Sequence, residues 1–222
     1  MNVNAYGRQL SPDEIETREH RNLVGGLWEE LGTLQFNFLK DHGLQPHHQL
    51  VDVGCGALRG GLHFIRFLDA GHYHGIDINA SLIEAGRREL DQEKLAGKSP
   101  HLLVNDRFEL GSFATTFDCA IAVSLFTHLP MNHIVRCLAE VRKSLRAEAH
   151  FYASYFEAPA RAWLEPLQHS PGGIVTNYDA DPYHYSFAEF ESLAAIAQMK
   201  VERIGAWGHP RDQRMLSFSR DG

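Results

Sequence analysis

VDVGCGALRGG, residues 51–61, is a short apolar run that leads into a turn rich in glycine. Residues 50–53 are typical of a strand buried inside a sheet, because their side chains are apolar apart from Asp52. Glycine reaches backbone conformations that other residues avoid and lets a ligand approach the main chain closely. The stretch therefore predicts a buried strand, a turn at 54–56 that can face a ligand, and a helix after it.

Outward from this turn, apolar runs typical of strands alternate with segments of helical spacing. The predicted strands are 50–53, 73–78, 102–104, 117–123, 150–155, 201–207 and 214–218. The predicted helices are 27–38 with a stop at Gly43, 60–70, 81–95, 134–145 and 187–197. Alternation of this kind is typical of a parallel sheet with helices on both faces, and the turn-rich residues 208–212 join the last two strands as a hairpin. We therefore predict an α/β fold with a doubly wound, Rossmann-like, mostly parallel seven-stranded sheet and a C-terminal antiparallel hairpin.

The length of 222 residues fits a single domain over 1–222. Within it, residues 1–22 are polar and charged and indicate an arm or a short helix, and we interpret residues 1–26 as an N-terminal arm. Residues 157–185 form a connection longer than the roughly 12–15 residues usual in a compact domain, which indicates a functional segment. We interpret it as a substrate-side insertion or lid, with its glycine pair at 172–173 allowing movement. Its substrate-side residues are predicted to be Tyr178, Tyr183 and His184.

Composition and charge narrow the class of function. The 21 basic and 28 acidic side chains give a net charge of −7, which lacks the basic footprint of a nucleic-acid binder. The three cysteines cannot all pair and show no C-x-x-C spacing. No apolar run approaches the roughly 18 residues of a membrane helix. We expect a soluble, cytoplasmic protein whose partner is neither nucleic acid nor a membrane.

Asp77 ends the second predicted strand. Ligands of parallel sheets bind beyond the carboxyl ends of the strands, where an acidic side chain after the second strand can accept hydrogen bonds from ribose hydroxyls. Combined with the glycine turn 54–56, Asp77 favours an adenosine-type ligand. The alternative interpretation is a tight turn followed by an exposed strand-end aspartate.

Three segments resemble a known family. VDVGCGALRGG and YHGIDINASLIEAGRREL, residues 73–90, are similar to motifs I and II of the class I S-adenosylmethionine-dependent methyltransferases. FDCAIAVSLFTHLP, residues 117–130, resembles the fourth-strand segment of that family. The resemblance covers about residues 27–146 and the closing hairpin. It implies S-adenosylmethionine as the cofactor and leaves the methyl acceptor open.

The resemblance also implies which residues bind this cofactor. They are Asp52, Gly54, Cys55, Gly56, Asp77, Ile78, Asp106, Arg107, Ser124 and Leu125. Asp52 would hold the glycine loop, which would follow the methionine part of the cofactor. Asp77 would bind the ribose, and Ile78 would pack on the adenine. Asp106, with Arg107 beside it, would reach the adenine amino group, and the backbone at 124–125 would lie near the sulfonium.

One departure from the family pattern concerns residues 58–61. The family commonly has a third glycine at the position of Leu58, whereas this chain continues with Arg59 and two glycines. Arg59 is also a candidate cofactor-binding residue, because a guanidinium suits the cofactor's carboxylate. A salt bridge on the helix surface explains Arg59 equally well, and the shape of the loop stays open.

His128 is the candidate catalytic residue. It follows the fourth predicted strand on the cofactor side, and histidine is the side chain best suited to accept a proton near neutral pH. The alternative is a structural histidine bonded to a neighbouring backbone group. We predict no metal site, although Asp179, Asp181 and His184 could in principle converge on a divalent ion. Cys55 between two glycines is explained by packing and is not expected to be a nucleophile.

The sequence therefore predicts an S-adenosylmethionine-dependent methyltransferase that acts on a small molecule by in-line displacement at the sulfonium methyl. A nicotinamide-dependent oxidoreductase is the main alternative, disfavoured because the first turn lacks G-x-G-x-x-G. A non-catalytic binding protein on the same fold is the other. The acceptor is expected between the 157–185 segment, the N-terminal arm and His128. The sequence does not predict the oligomeric state.

Overall fold

The computed structural model describes residues 7–159 and 164–221, in two compact units, Met1–Asp106 and Arg107–Gly222. Residues 1–6 of the predicted arm and residues 160–163 of the predicted insertion lie outside the described residues. A single domain over 1–222 stays a prediction.

The first unit is built around three parallel strands. These are β1 (Leu50–Val53), β2 (Tyr73–Asp77) and β3 (His101–Val104), in the order β3-β2-β1. The register sets Val53 beside Ile76 and Asp77 beside Val104. The three carboxyl ends therefore lie at one edge, where the glycine turn after β1 meets the end of β2.

Five helices accompany these strands. They are α1 (Pro12–Glu16), α2 (Glu19–Leu23), α3 (Trp28–Asp41), α4 (Gly61–Phe67) and α5 (Ala80–Gln92). The three longest correspond to the predicted helices, and Gly43 after α3 takes a φ of 91°, a conformation that suits glycine. Asn79 caps α5 by accepting hydrogen bonds from the N–H groups of Ser81 and Leu82. The predicted arm contains the two short helices α1 and α2.

The second unit begins with a strand, a helix and a strand. These are β4 (Phe117–Ala122), α6 (Met131–Ser144) and β5 (Leu145–Glu157), and the two strands pair in parallel. After the insertion come α7 (Phe187–Ile196), β9 (Met199–Ala206) and β10 (Arg214–Arg220). The order is β4-β5-β10-β9, with β10 antiparallel to both of its neighbours. The predicted fold class and the closing hairpin are confirmed.

The insertion is more regular than its sequence indicates. It contains β6 (Leu167–Gln168) and β7 (Val175–Thr176), a short hairpin, and β8 (His184–Tyr185), which pairs in parallel with the end of β5. β5 itself is longer than the predicted 150–155, because it starts directly after α6 and extends to pair with β8. The end of β5 is thereby joined to the insertion by backbone hydrogen bonds.

Each unit has its own apolar core. In the first unit, Leu31, Leu50 and Phe64 are fully buried. In the second, the rings of Phe126, Phe151, Phe190 and Phe218 contact one another, with centroids about 6 Å apart. Among the described residues, no helix combines the length and the apolar character needed to cross a bilayer.

Candidate functional site

The glycine turn 54–56 is fixed to the end of β2. Gly54 and Gly56 take φ values of 78° and 53°, which glycine adopts without strain. The N–H groups of Gly54 and Cys55 donate to the carbonyl of Ile76, at 2.8 and 3.0 Å. The N–H of Gly56 donates to Oδ2 of Asp77 at 2.9 Å. The turn and Asp77, which the sequence singled out separately, therefore form one structure, which we call the cradle (residues 54–56 with Asp77).

Asp77 still has acceptor capacity. Its Oδ1 accepts the N–H of Asn79 at 2.8 Å, so two backbone donors reach the carboxylate. A carboxylate offers about four acceptor positions, so acceptor capacity remains beside these donors. Burial raises the pKa of Asp77, while the N–H groups of Asn79, Gly56 and Ile78 oppose that rise. The side chain is therefore fixed in orientation and can still accept a hydrogen bond from a ligand hydroxyl.

Asp52 lies below the loop and was expected to hold it. It is buried on β1, and the hydroxyl of Tyr73 on β2 donates to its Oδ2 at 2.8 Å. The pKa of Asp52 is raised to about 7, chiefly by burial and also by the charge of Asp77, while the Tyr73 hydrogen bond and the charge of Arg59 oppose the rise. The side chain thus joins two strands beneath the turn, so its support of the loop is indirect.

Leu58 takes the conformation that a third glycine would take. Its φ is 70°, in the left-handed region that is uncommon for a bulky side chain. A Cβ added to Gly61 or to Gly86 would lie 2.8 or 2.9 Å from the Leu58 side chain. The leucine is fully buried, so the space left by these two glycines accommodates it. The loop therefore keeps a glycine-like path without the glycine.

Arg59 is buried, so it does not lie on the helix surface as the alternative interpretation required. Its Nη1 donates to the carbonyls of Val24 and Gly26, at 2.8 and 3.1 Å. The guanidinium thereby ties the loop after β1 to the N-terminal arm. Binding of the cofactor's carboxylate by Arg59 stays a prediction.

Two exposed apolar side chains lie at the strand ends of the first unit. Ile78, directly after β2, is 53% exposed, and Val104, the last residue of β3, is 54% exposed. Such exposure of a large apolar side chain suits a flat ring as a partner. Ile78 was predicted as a site residue from the sequence, whereas Val104 was not, because only its position at the end of a strand indicated it. Asp106 and Arg107 follow as exposed residues in separate units.

Ser124, after β4, is held by a buried polar network in the second unit. Its φ is 61°, and its N–H donates to Oγ of Ser154 at 2.7 Å. The hydroxyls of Ser124 and Ser154 both donate to Oε1 of Gln213, at 3.1 and 2.6 Å. Ser154 and Gln213 were missed by the sequence analysis, because they lie 30 and 89 residues away from Ser124. Leu125 is half-buried beside this network.

His128 pairs with Asp181 of the insertion. Nδ1 of the ring makes a short hydrogen bond with Oδ1 of the carboxylate, and both side chains are partly exposed. A carboxylate partner favours the tautomer that carries its proton on Nδ1, in which Nε2 is the basic nitrogen of the ring. The contact with a carboxylate differs from a bond to a neighbouring backbone group, and the catalytic role of His128 stays a prediction. The sequence named both residues but assigned them to different hypotheses.

The predicted substrate-side residues take different places. The N–H of Tyr183 donates to the carbonyl of Thr127, the residue before His128, at 2.7 Å, and Tyr178 is half-buried. His184 is fully buried, with its Nδ1 2.8 Å from Oγ1 of Thr176. That hydroxyl also lies 2.8 Å from Nε2 of His169. His184 is thus part of an internal network, and its prediction as a substrate-side residue is wrong for this conformation.

The possible metal cluster does not assemble. Asp181 is bound to His128, whereas His184 is bound to Thr176 in the interior. Within residues 7–159 and 164–221, no group of three or more His, Cys, Asp or Glu side chains is arranged to hold a metal ion.

The structure explains why residues 172 and 173 of the insertion are both glycine. Gly172 and Gly173 take φ values of 101° and 66° in the turn between β6 and β7. A Cβ on Gly172 would lie 2.9 Å from the carbonyl oxygen of Pro210 and from Cα of Arg211. These glycines permit a tight turn packed against residues 210–211. Movement of the segment as a lid stays a prediction.

A mostly parallel α/β sheet that closes on an antiparallel hairpin, with a glycine turn after its first strand and an acidic residue after its second, defines the class I methyltransferase fold. Residues 51–151 match the model of the family described as the methyltransferase domain. The chain has the fold of the class I methyltransferases, and its residues 51–151 are similar to their methyltransferase domain.

Solved structures agree on this fold. The CcbJ methyltransferase from Streptomyces caelestis matches with a TM-score of 0.70 and 14% identity, covering 99% of each chain. A methyltransferase from Clostridium acetobutylicum ATCC 824 matches with a TM-score of 0.68 and 9% identity, covering 96% of this chain and 100% of that one. Magnesium protoporphyrin IX methyltransferase from Synechocystis PCC 6803 has a TM-score of 0.63 and 16% identity, covering 97% and 88%. At these identities the likeness concerns the fold alone.

Proposed function

We propose that this protein binds S-adenosylmethionine and transfers its methyl group to a small-molecule acceptor by in-line displacement at the sulfonium. The cradle carries the proposal, because Asp77 is oriented by two backbone donors and keeps acceptor capacity for a diol. The exposed side chain of Ile78 next to it suits the adenine ring. Similar folds include the mitomycin 7-O-methyltransferase MmcR and the pyocyanin biosynthetic protein PhzM, which supports a small molecule as the acceptor.

The cradle fits this cofactor by its shape as well as its charge. At Gly56 the φ is 53° and a Cβ would lie 3.3 Å from Cγ1 of Val24, so both the backbone conformation and the close approach of Val24 suit glycine. S-adenosylmethionine, when bound, supplies a methyl group on a positively charged sulfur. The task of the chain is to hold that group in line with the acceptor, and such alignment is worth roughly 7–11 kcal/mol.

We propose His128 as the general base for an acceptor that arrives protonated. With the proton of the ring held on Nδ1 by Asp181, Nε2 accepts the proton of the acceptor. The positive charge that forms on the ring is stabilised by the carboxylate. Asp181 acts here as a positioning residue through His128. An acceptor that arrives deprotonated does not need the pair.

The family match and the state of the cysteines also bear on the alternative functions and on the compartment in which the protein acts. The family match gives no support to a nicotinamide-dependent oxidoreductase. Cys55, Cys119 and Cys137 are free and buried, and unpaired cysteines favour a reducing compartment, so we propose the cytoplasm as the place of action.

A transfer assay with pooled acceptors tests the proposal. The protein is incubated with methyl-labelled S-adenosylmethionine and with separate pools of hydroxyl, amine and carbon acceptors. We expect labelled product from at least one pool, and a lower rate from the same pool with His128→Ala. Binding of the cofactor without labelled product from any pool would instead favour the non-catalytic binding protein.

A further inference from the structure

The N-terminal arm (residues 7–26) contacts the loop that follows β2. The side-chain amide of Asn79 donates to the carbonyl of Arg8 at 2.7 Å. The N–H of Leu10 donates to Oγ of Ser81 at 2.9 Å, and the N–H of Ser81 donates to the side chain of Gln9 at 3.2 Å. The start of the arm is therefore held directly beside the end of β2 that carries Asp77.

The other end of the arm contacts the loop that follows β1. Arg59 donates to the carbonyls of Val24 and Gly26, as described above, and the Val24 side chain covers Gly56. The arm thus touches the loops on both sides of the cradle, although it is distant from both in the sequence. The two ends of the arm therefore flank the cradle from both loops.

A buried charge cluster holds the middle of the arm to α5. Glu89 is 1% exposed, and it accepts hydrogen bonds from Nε and Nη2 of Arg21 at 2.9 and 2.8 Å. Nε2 of His20 lies 2.8 Å from the same carboxylate. The Arg21 guanidinium also stacks over Trp28, 4.6 Å from the ring centroid. A paired, buried carboxylate of this kind is costly to break, because each lost partner leaves an unbalanced charge.

Glu89 itself is far from the cradle. Ten residues of helix separate it from Asn79, about 15 Å at the rise of an α-helix. Burial raises the pKa of Glu89, but the hydrogen bonds from His20 and Arg21 outweigh it and lower the value to about 2. Glu89 is therefore ionised at neutral pH and remains available as the anchor for both arm residues.

We propose that the N-terminal arm is the cover of the cofactor cradle, and that Glu89 is the positioning residue that keeps this cover in place. The inference rests on the proposed function, since the covered ligand is S-adenosylmethionine or its demethylated product. The role of the arm is then to slow the release of the bound cofactor. Loss of the Glu89 charge is expected to release the arm and to let the ligand leave faster.

Glu89→Gln tests the proposal, with S-adenosylhomocysteine as the probe and stopped-flow dissociation as the measurement. We expect the dissociation rate to rise at least about fivefold. Hydrogen exchange of residues 8–26 should become faster in the same variant. Glu93→Gln is the matched control, because Glu93 follows α5 and pairs with Arg66 at 3.0 Å on the surface. That variant should leave both readouts unchanged.

If Glu89→Gln does not fold, a second variant and the wild-type protein still test the proposal. Arg21→Met removes the charge partner from the arm side, where the side chain is 24% exposed. In the wild-type protein, S-adenosylhomocysteine should slow the exchange of residues 8–26. Unchanged dissociation in the folded variants, or unchanged exchange on ligand addition, overturns the cover. No binding to the wild-type protein overturns the proposed function itself, and the cover with it.

Discussion

The cradle in the first unit and the His128–Asp181 pair in the second are held together in different ways. In the cradle, main-chain N–H groups within a few residues of two strand ends fix the carboxylate of Asp77. The pair joins two side chains that are 53 residues apart, one after β4 and one in the insertion. The cradle is therefore set by the strands themselves, whereas the pair depends on how the insertion folds.

This difference teaches where specificity can change. A site made of strand ends and main chain keeps its shape when surface side chains vary. A pair supplied by a connecting segment varies with that segment, and binding residues are often found on such segments. We expect changes in the cradle to alter cofactor affinity, and changes at the pair to alter the rate of transfer.

The largest expected effect is that of His128→Ala on the transfer rate. Removing a general base lowers the rate by about 100- to 10,000-fold for a protonated acceptor. Asp181→Asn should lower kcat too, because an amide can hold the ring in the wrong tautomer. Cofactor affinity should stay within about twofold in both variants, as measured by calorimetry.

Asp179→Asn is the matched control for this experiment, since it removes a carboxylate two residues from Asp181. A kcat close to that of the wild-type protein is expected. If His128→Ala lowers cofactor affinity as much as it lowers the rate, the division between the two regions is incorrect.

Asp77→Ala should weaken S-adenosylhomocysteine binding by about 1.5–3 kcal/mol, the range of a hydrogen bond to a charged group. This corresponds to a dissociation constant roughly 10- to 150-fold higher. Asp69→Ala, an exposed aspartate shortly before β2, is the control and should bind normally. If calorimetry shows that Asp77→Ala binds S-adenosylhomocysteine as tightly as the wild-type protein does, Asp77 does not bind the ribose.

The sequence predicted the features that depend on local order. Apolar runs located the strands, and helical spacing located α3 to α7, since both depend on neighbouring residues. The turn 54–56 and Asp77 were found because each directly follows a strand. Their hydrogen bond to one another follows from the parallel pairing of β1 with β2.

Features that depend on distant contacts were not predictable in this way. Burial of His184 depends on Thr176 and the β6–β7 hairpin, which short segments do not indicate. Arg59 required knowledge of where the arm lies, and Gln213 required the register of β10 beside β5. In each case the sequence indicated a polar residue, and the fold determined its partner.

Gln213→Met tests the network that holds Ser124. The variant leaves the buried hydroxyl of Ser154 and the half-buried hydroxyl of Ser124 without their acceptor, which should cost about 1–3 kcal/mol of unfolding free energy. Chemical denaturation measures this loss. Gln168→Met on the exposed face of the hairpin is the control, and an equal loss there would show that the network is not the cause.

The smallest expected effect is that of removing metal ions. Transfer from a sulfonium needs no Lewis acid, and Asp181 and His184 are committed to separate partners. Activity after exhaustive dialysis against EDTA should equal the untreated value. If activity is lost and a divalent ion restores it, the protein has a metal site, and Asp179, Asp181 and His184 would again be its candidate ligands.

The central claim is that the cradle binds the adenosine of a methyl donor, and calorimetry with two ligands tests it most directly. The wild-type protein is titrated with S-adenosylhomocysteine and, separately, with NAD. The account predicts saturable binding of S-adenosylhomocysteine at one site and no binding heat from NAD. Saturable binding of NAD with no response to S-adenosylhomocysteine would contradict it.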